Sequence, residues 1–144
     1  MNNEIVSKIS GSFNGFNSGA VFPLVNGHVW QQRHYKYKYK YAYRPDVRIY
    51  RDESNRWMMQ VSIMDEPIEV VRAQIVEDGT ITSDFSGFSG SSVFIFSNGH
   101  KWAQAEYKYL YHYSYRPAAF VVDGINGLEL HVEGMTEGVR VRRA

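Results

Sequence analysis

Apolar residues along this chain fall in short runs, many of them alternating with polar neighbours, and turn-forming residues break them at close intervals. Ile9 to Phe16 reads as a first strand, with Gly15 marking a bulge or a close approach. Asn17-Ser18-Gly19 turns the chain into a second strand, Ala20 to Val25. Asn26-Gly27 predicts a two-residue hairpin of type I′, which needs positive φ at both central positions. His28 to Gln32 returns as a third strand, placing Trp30 and Gln32 on one face. Val47 to Tyr50, Trp57 to Ser62 and Ile68 to Arg72 follow, with Asp52-Glu53-Ser54-Asn55 as a polar turn. No segment sustains a 3.6-residue period, so the pattern predicts an all-β protein.

One stretch stands apart from this pattern. From His34 to Pro45, the tyrosines 35, 37, 39, 41 and 43 occupy every second position. A strand sends alternate side chains to opposite faces, so an extended segment lays all five phenols along one side. The stretch returns from Glu106 to Pro117, again with five alternating tyrosines. Setting Phe13 against Phe85 aligns 33 positions without a gap, and 18 of them are identical. After one deletion, Met59-Gln60-Val61 meets Leu130-His131-Val132, and Arg72-Ala73 meets Arg143-Ala144. Self-similarity at this period marks a duplicated structural unit. The expected domains are 1–73 and 74–144.

Five or six short strands in about 65 residues suit a small closed barrel, which removes exposed sheet edges. Gln74 to Gly79 reads as a spacer, too short for independent beads, and favours two barrels packed with a pseudo-twofold relation. The motif Phe13-x-Gly15-Phe16, then Val21-Phe22-x-Leu24-x-Asn26-Gly27-x-x-Trp30-x-Gln32, resembles an uncharacterised bacterial family of small SH3-like β-barrel modules. Arg44-Pro45 and Val47-x-Ile49 extend the likeness, which covers nearly all of both copies. It departs at Phe16 and Phe88, where the family pattern has Trp. The resemblance implies two tandem SH3-like barrels and no assigned chemistry, so no functional residue carries over from it.

The 144 residues are 44% hydrophobic and 22% charged, which is globular composition. Cys is absent, which removes disulfides, thiolate metal sites and a Cys nucleophile. No leader-like segment or long apolar run is visible, so a soluble cytoplasmic protein is expected. The net charge of +1 supplies no field to steer a polyanion. The halves differ: 1–73 carries ten Lys/Arg and seven Asp/Glu, a balance of +3, and 74–144 carries six and eight, a balance of −2.

The tyrosines admit two readings. Exposed, they form a platform for stacking; packed, they line a barrel face with hydroxyls at the rim. The copies keep all five tyrosines while Lys38 becomes Leu110 and Lys40 becomes His112, which favours packing. Trp30 with Gln32, and Trp102 with Gln104, could line an aromatic groove beside Tyr37, Tyr39 and Tyr41, or Tyr109, Tyr111 and Tyr113. The rival reading makes the Trp a core centrepiece and the Gln a cap on buried backbone, and two copies fit it better. Lys36, Lys38, Lys40 and Arg44 could meet phosphates, so single-stranded nucleic acid is the alternative ligand.

His28 and His100 read as turn residues without convergent metal ligands, and no cofactor is implied. Glu66 and Glu137 are the only acid kept between the copies, and one carboxylate makes no acid–base pair. The arginines of Arg44-Pro45 and Arg116-Pro117 could clasp a tyrosine face. The sequence thus points to a non-catalytic binding or scaffolding module engaging a protein or peptide through an aromatic face. A structural homodimer joined through the tyrosine ladders is the further alternative.

Overall fold

The computed structural model describes residues 4–135 and 137–144, and every regular element in them is a β-strand. The chain divides into two units, 1–74 and 75–144. The first holds β1 (Ile5–Lys8), β2 (Ser12–Phe13), β3 (Val21–Pro23), β4 (Val29–Gln32), β5 (Ala42–Tyr43), β6 (Asp46–Arg51) and β7 (Trp57–Val61). It also takes the first part of β8 (Ile68–Thr80). Its strands pair antiparallel in the order β1-β6-β7-β8-β4-β3. The ladders stop there, and a single bridge between Ile9 and Leu24 joins the two ends. A separate ladder pairs β2 with β5.

The second unit repeats this plan. The rest of β8 is followed by β9 (Gly87–Ser89), β10 (Val93–Ile95), β11 (Lys101–Gln104), β12 (Tyr109–Tyr111), β13 (Ala118–Gly124), β14 (Gly127–Val132) and β15 (Val139–Arg143). The order is β8-β13-β14-β15-β11-β10, with Ile81 bridging Phe96, and β9 pairs with β12.

Alternation explains which residues enter each core. In β6, Val47 and Ile49 are buried while Arg48 is exposed; in β15, Val139 and Val141 are buried between exposed arginines. The first core gathers Trp30 with three phenylalanines, and the second gathers Trp102 with four, Phe96 being the addition. The rings of Phe13, Phe16 and Phe22 lie 5.9–6.2 Å apart, and those of Phe85, Phe88 and Phe94 lie 6.0–6.5 Å apart. In each triad two contacts are edge-to-face, a favoured arrangement of aromatic quadrupoles. Phe16 and Phe88 are thus fully committed to the core. Arg72 lies over Trp30 at 5.5 Å and Arg143 over Trp102 at 4.5 Å.

Several expected elements come out differently. Ile9 to Phe16 is not one strand, because Gly11 and Gly15 take φ of 90° and 94° and bend the chain on both sides of β2. An additional strand, β1, precedes it. The stretch read as a spacer, 74–79, lies wholly within β8. At Asn26-Gly27 only the glycine has positive φ. Gly27 N donates to Leu24 O and Leu24 N to His28 O, so the hairpin is a three-residue turn with a glycine bulge.

Candidate functional site: two outward tyrosine rows

The segment after β4 starts at the most buried strand of the unit. All four residues of β4 are buried, two of them glutamines. Gln31 Nε2 donates to Gly19 O. Gln32 is fully enclosed, and its amide faces the tyrosine segment: Nε2 donates to the carbonyls of His34 and Lys36, at 2.9 and 3.1 Å. Its Oε1 accepts from Asn17 N at 3.0 Å. Gln104 does the same work in the second unit. It donates to Glu106 O and Lys108 O, at 3.0 and 2.8 Å, and accepts from Ser89 N and Gly90 N.

Further along, main-chain pairing replaces the glutamine. Phe16 N donates to Lys38 O and Lys38 N to Phe16 O, and Phe13 pairs with Ala42. In the second unit Leu110 pairs with Phe88 and Tyr109 with Ser89. Carbonyls at 34, 36 and 38 all meet donors from the unit itself, the amide of Gln32 and the main chain of Phe16, with the two-residue period of an extended chain. Regular strand is confined to β5 and β12, so the expected full-length strand is an extended segment held by a glutamine amide at its start and by main-chain pairing beyond. Gly15 and Gly87 allow this approach. A Cβ on either would collide with the carbonyl oxygen of Lys38 or Leu110.

The even-numbered side chains turn back onto the unit. Lys36 Nζ lies 2.8 Å from Glu66, Lys38 Nζ 3.1 Å from Asp65, and Lys40 Nζ donates to Ile63 O. In the second unit Lys108 meets Glu137 at 3.4 Å and Gly138 O at 2.7 Å, and Leu110 packs against the core. Lys36 and Lys108 therefore pair with the one acid kept between the copies. The hydrogen bond and charge of Lys36 hold Glu66 below the usual carboxylate range, and Lys38 does the same to Asp65. The odd-numbered side chains face water: the ten ladder tyrosines are between 56% (Tyr41) and 88% (Tyr107) exposed.

These placements correct the sequence reading in three respects. Packing of the phenols, favoured by the comparison of copies, does not occur; the lysines, leucine and histidine between them face the unit instead. Trp30, Gln32, Trp102 and Gln104 are at most 7% exposed, so they line no groove and act as core and as anchors. The lysine stripe is not free, because Lys36, Lys38 and Lys40 are all engaged on the loop 63–66. Arg116 lies 5.7 Å over Tyr115, whereas the Arg44 side chain has no such contact among the described residues. Both arginines hold positive φ, 51° and 45°, just before proline.

The histidines separate the units. His100 Nδ1 lies 2.7 Å from Glu77 Oε1, which also accepts from Trp102 Nε1 at 3.1 Å, while Asn98 Nδ2 donates to Oε2. Burial raises the Glu77 pKa, but the hydrogen bonds from Asn98, Trp102 and His100 outweigh it and leave it lowered. At the matching position of the first unit stands Ile5, and there Trp30 Nε1 and His28 Nδ1 are buried without a partner. Sequence comparison missed Glu77 because its counterpart is apolar. The Lys36–Glu66 pairing was detectable, since both partners recur.

Among the described residues no three His, Asp or Glu converge as a metal site, and no helix is long and apolar enough to cross a membrane. Comparison with protein-family models, with curated proteins and with solved structures finds no match.

Proposed function

We propose that the chain is a non-catalytic binding module built from two SH3-like small barrels, and that its tyrosine rows engage an extended peptide or protein segment. One observation carries this reading: ten phenols are exposed in two rows while the residues between them are fastened to the unit. A large aromatic surface kept in water marks an interaction site more often than an accident of packing. Tyr is suited to this, because it offers a rigid apolar body and a polar tip.

Alternate residues of an extended chain are about 6.7 Å apart, a step that matches alternate side chains of an extended peptide. A helix repeats about every 5.4 Å and a polyproline helix about every 9.3 Å, so neither keeps register with the row. The barrel reading rests on the repeated strand order, on the bridges Ile9–Leu24 and Ile81–Phe96, and on the family motif.

The test is selection from a random peptide display library. Wild-type protein should enrich a shared set of sequences, and the variant carrying Ser at 37, 39, 41, 109, 111 and 113 should not retain them. No enrichment, or equal retention by the variant, contradicts the proposal. Tyrosine-dependent, steeply salt-sensitive capture of labelled oligonucleotides would favour single-stranded nucleic acid instead. A doubled solution mass that the serine variant loses would favour the homodimer.

A further inference from the structure

The β9–β12 ladder sets Tyr109 opposite Ser89 and Tyr111 opposite Gly87. Directly opposed residues share a face, so the two rings stand beside a hydroxymethyl group and a missing side chain. The space left is a groove of about 510 Å³, which Asp84, Ser86, Ser92 and Val93 complete. This volume lies within the range of small-ligand sites.

No cationic residue lines the groove. Glu137, the acid nearest in role, is engaged by Lys108, whereas the exposed Asp84 carboxylate has no ion pair or hydrogen bond among the described residues. A carboxylate left unneutralised beside two phenols is a setting for a cation, which both the charge and the aromatic quadrupoles attract. The second unit's balance of −2 adds to this field. In the first unit Ser12 stands where Asp84 does, with Tyr37 and Tyr39 in the ring positions, so the same rings lack the carboxylate.

We infer that the groove of the second unit takes a cationic side chain of the partner, an arginine or lysine seated between Asp84 and the rings of Tyr109 and Tyr111. This rests on the tyrosine rows being a peptide-binding surface, and it assigns the two rows different preferences.

The test uses the full chain and two tripeptides, Ser-Arg-Ser and Ser-citrulline-Ser, capped at both ends and titrated at fixed ionic strength. The second has nearly the same shape without the charge. The arginine peptide should shift the ring resonances of Tyr109 and Tyr111 saturably, and the citrulline peptide should bind about tenfold more weakly. Asp84→Asn, a change at an exposed site, should remove that preference, and Tyr37 and Tyr39 should not respond. Equal affinity for the two peptides, an unchanged preference in Asp84→Asn, or equal shifts at Tyr37 and Tyr39 would overturn the assignment. So would the absence of any saturable shift. In each case library selection separately decides whether the rows bind peptides at all.

Discussion

The two units share a scaffold and differ in what they place behind and beside it. Both keep the Phe triad, the central Trp, the buried Gln, the Lys–Glu pair and five outward tyrosines. Among the described residues only the second encloses a carboxylate, where Glu77 collects hydrogen bonds from Trp102, Asn98 and His100. The first keeps the donors and has Ile5 instead, leaving Trp30 Nε1 and His28 Nδ1 unbonded. A buried polar group without a partner costs about 1–3 kcal/mol. The two units thus share what fastens the tyrosine rows and differ in the polar interior behind the Asn-Gly turn.

The largest effects should come from the shared anchors, and they should be of similar size in the two units. Gln32→Ala removes three hydrogen bonds, and Gln104→Ala removes four. At a net 0.5–1.5 kcal/mol each, either change should cost about 2–4 kcal/mol. Amide exchange resolved by residue should show the loss in the mutated unit. A cost in one unit only would break the claim of a common scaffold.

Glu77→Ala comes next and should act on the second unit alone. It strips the acceptor from the buried Trp102 Nε1 and from two more exposed donors, at about 2–3 kcal/mol in denaturant unfolding. The reciprocal comparison is sharper. Trp102→Phe gives up a satisfied donor and leaves Glu77 one partner short, whereas Trp30→Phe discards an unsatisfied one. With the lost ring volume common to both, Trp102→Phe should cost about 1–3 kcal/mol more. Equal costs would mean that the unbonded Trp30 donor is of no consequence.

Acid should expose a smaller difference. Folding lowers the pKa of Glu77 from its ordinary value of 4.5. Its contribution is therefore full above that value and is lost as pH falls through the folded one. Stability of the second unit should decline below about pH 4.5, and Glu77→Gln should flatten that decline relative to wild type. A parallel pH profile in the variant would remove Glu77 from the account.

Much of this fold was legible from residue order. Period-two alternation is a direct consequence of strand geometry, and it identified the core strands and the common side of the phenols. It did not say which side faces water. Aromatics are usually buried, yet here the phenols face water, because Asp65, Glu66 and Ile63 O lie where Lys38, Lys36 and Lys40 reach back to them across the surface. Those partners lie more than twenty residues away in the chain, beyond any local pattern. β1 escaped for a similar reason: its counterpart in the second unit is the segment around Glu77, so the copies do not match there. The Asn-Gly signal located the hairpin correctly, yet the turn carries an extra residue because Gly27 closes it as a bulge.

The central claim is that the tyrosines are surface held from behind, and not architecture. Equilibrium unfolding of the variant with Ser at 37, 39, 41, 109, 111 and 113 tests it most directly. Exposed side chains away from structural contacts usually change stability by about 0.5 kcal/mol or less, so six replacements should leave the unfolding free energy within about 3 kcal/mol of wild type and the cooperativity unchanged. Loss of the folded transition in that variant, with Gln32→Ala still folded, would show the rows to be part of the fold and contradict the account.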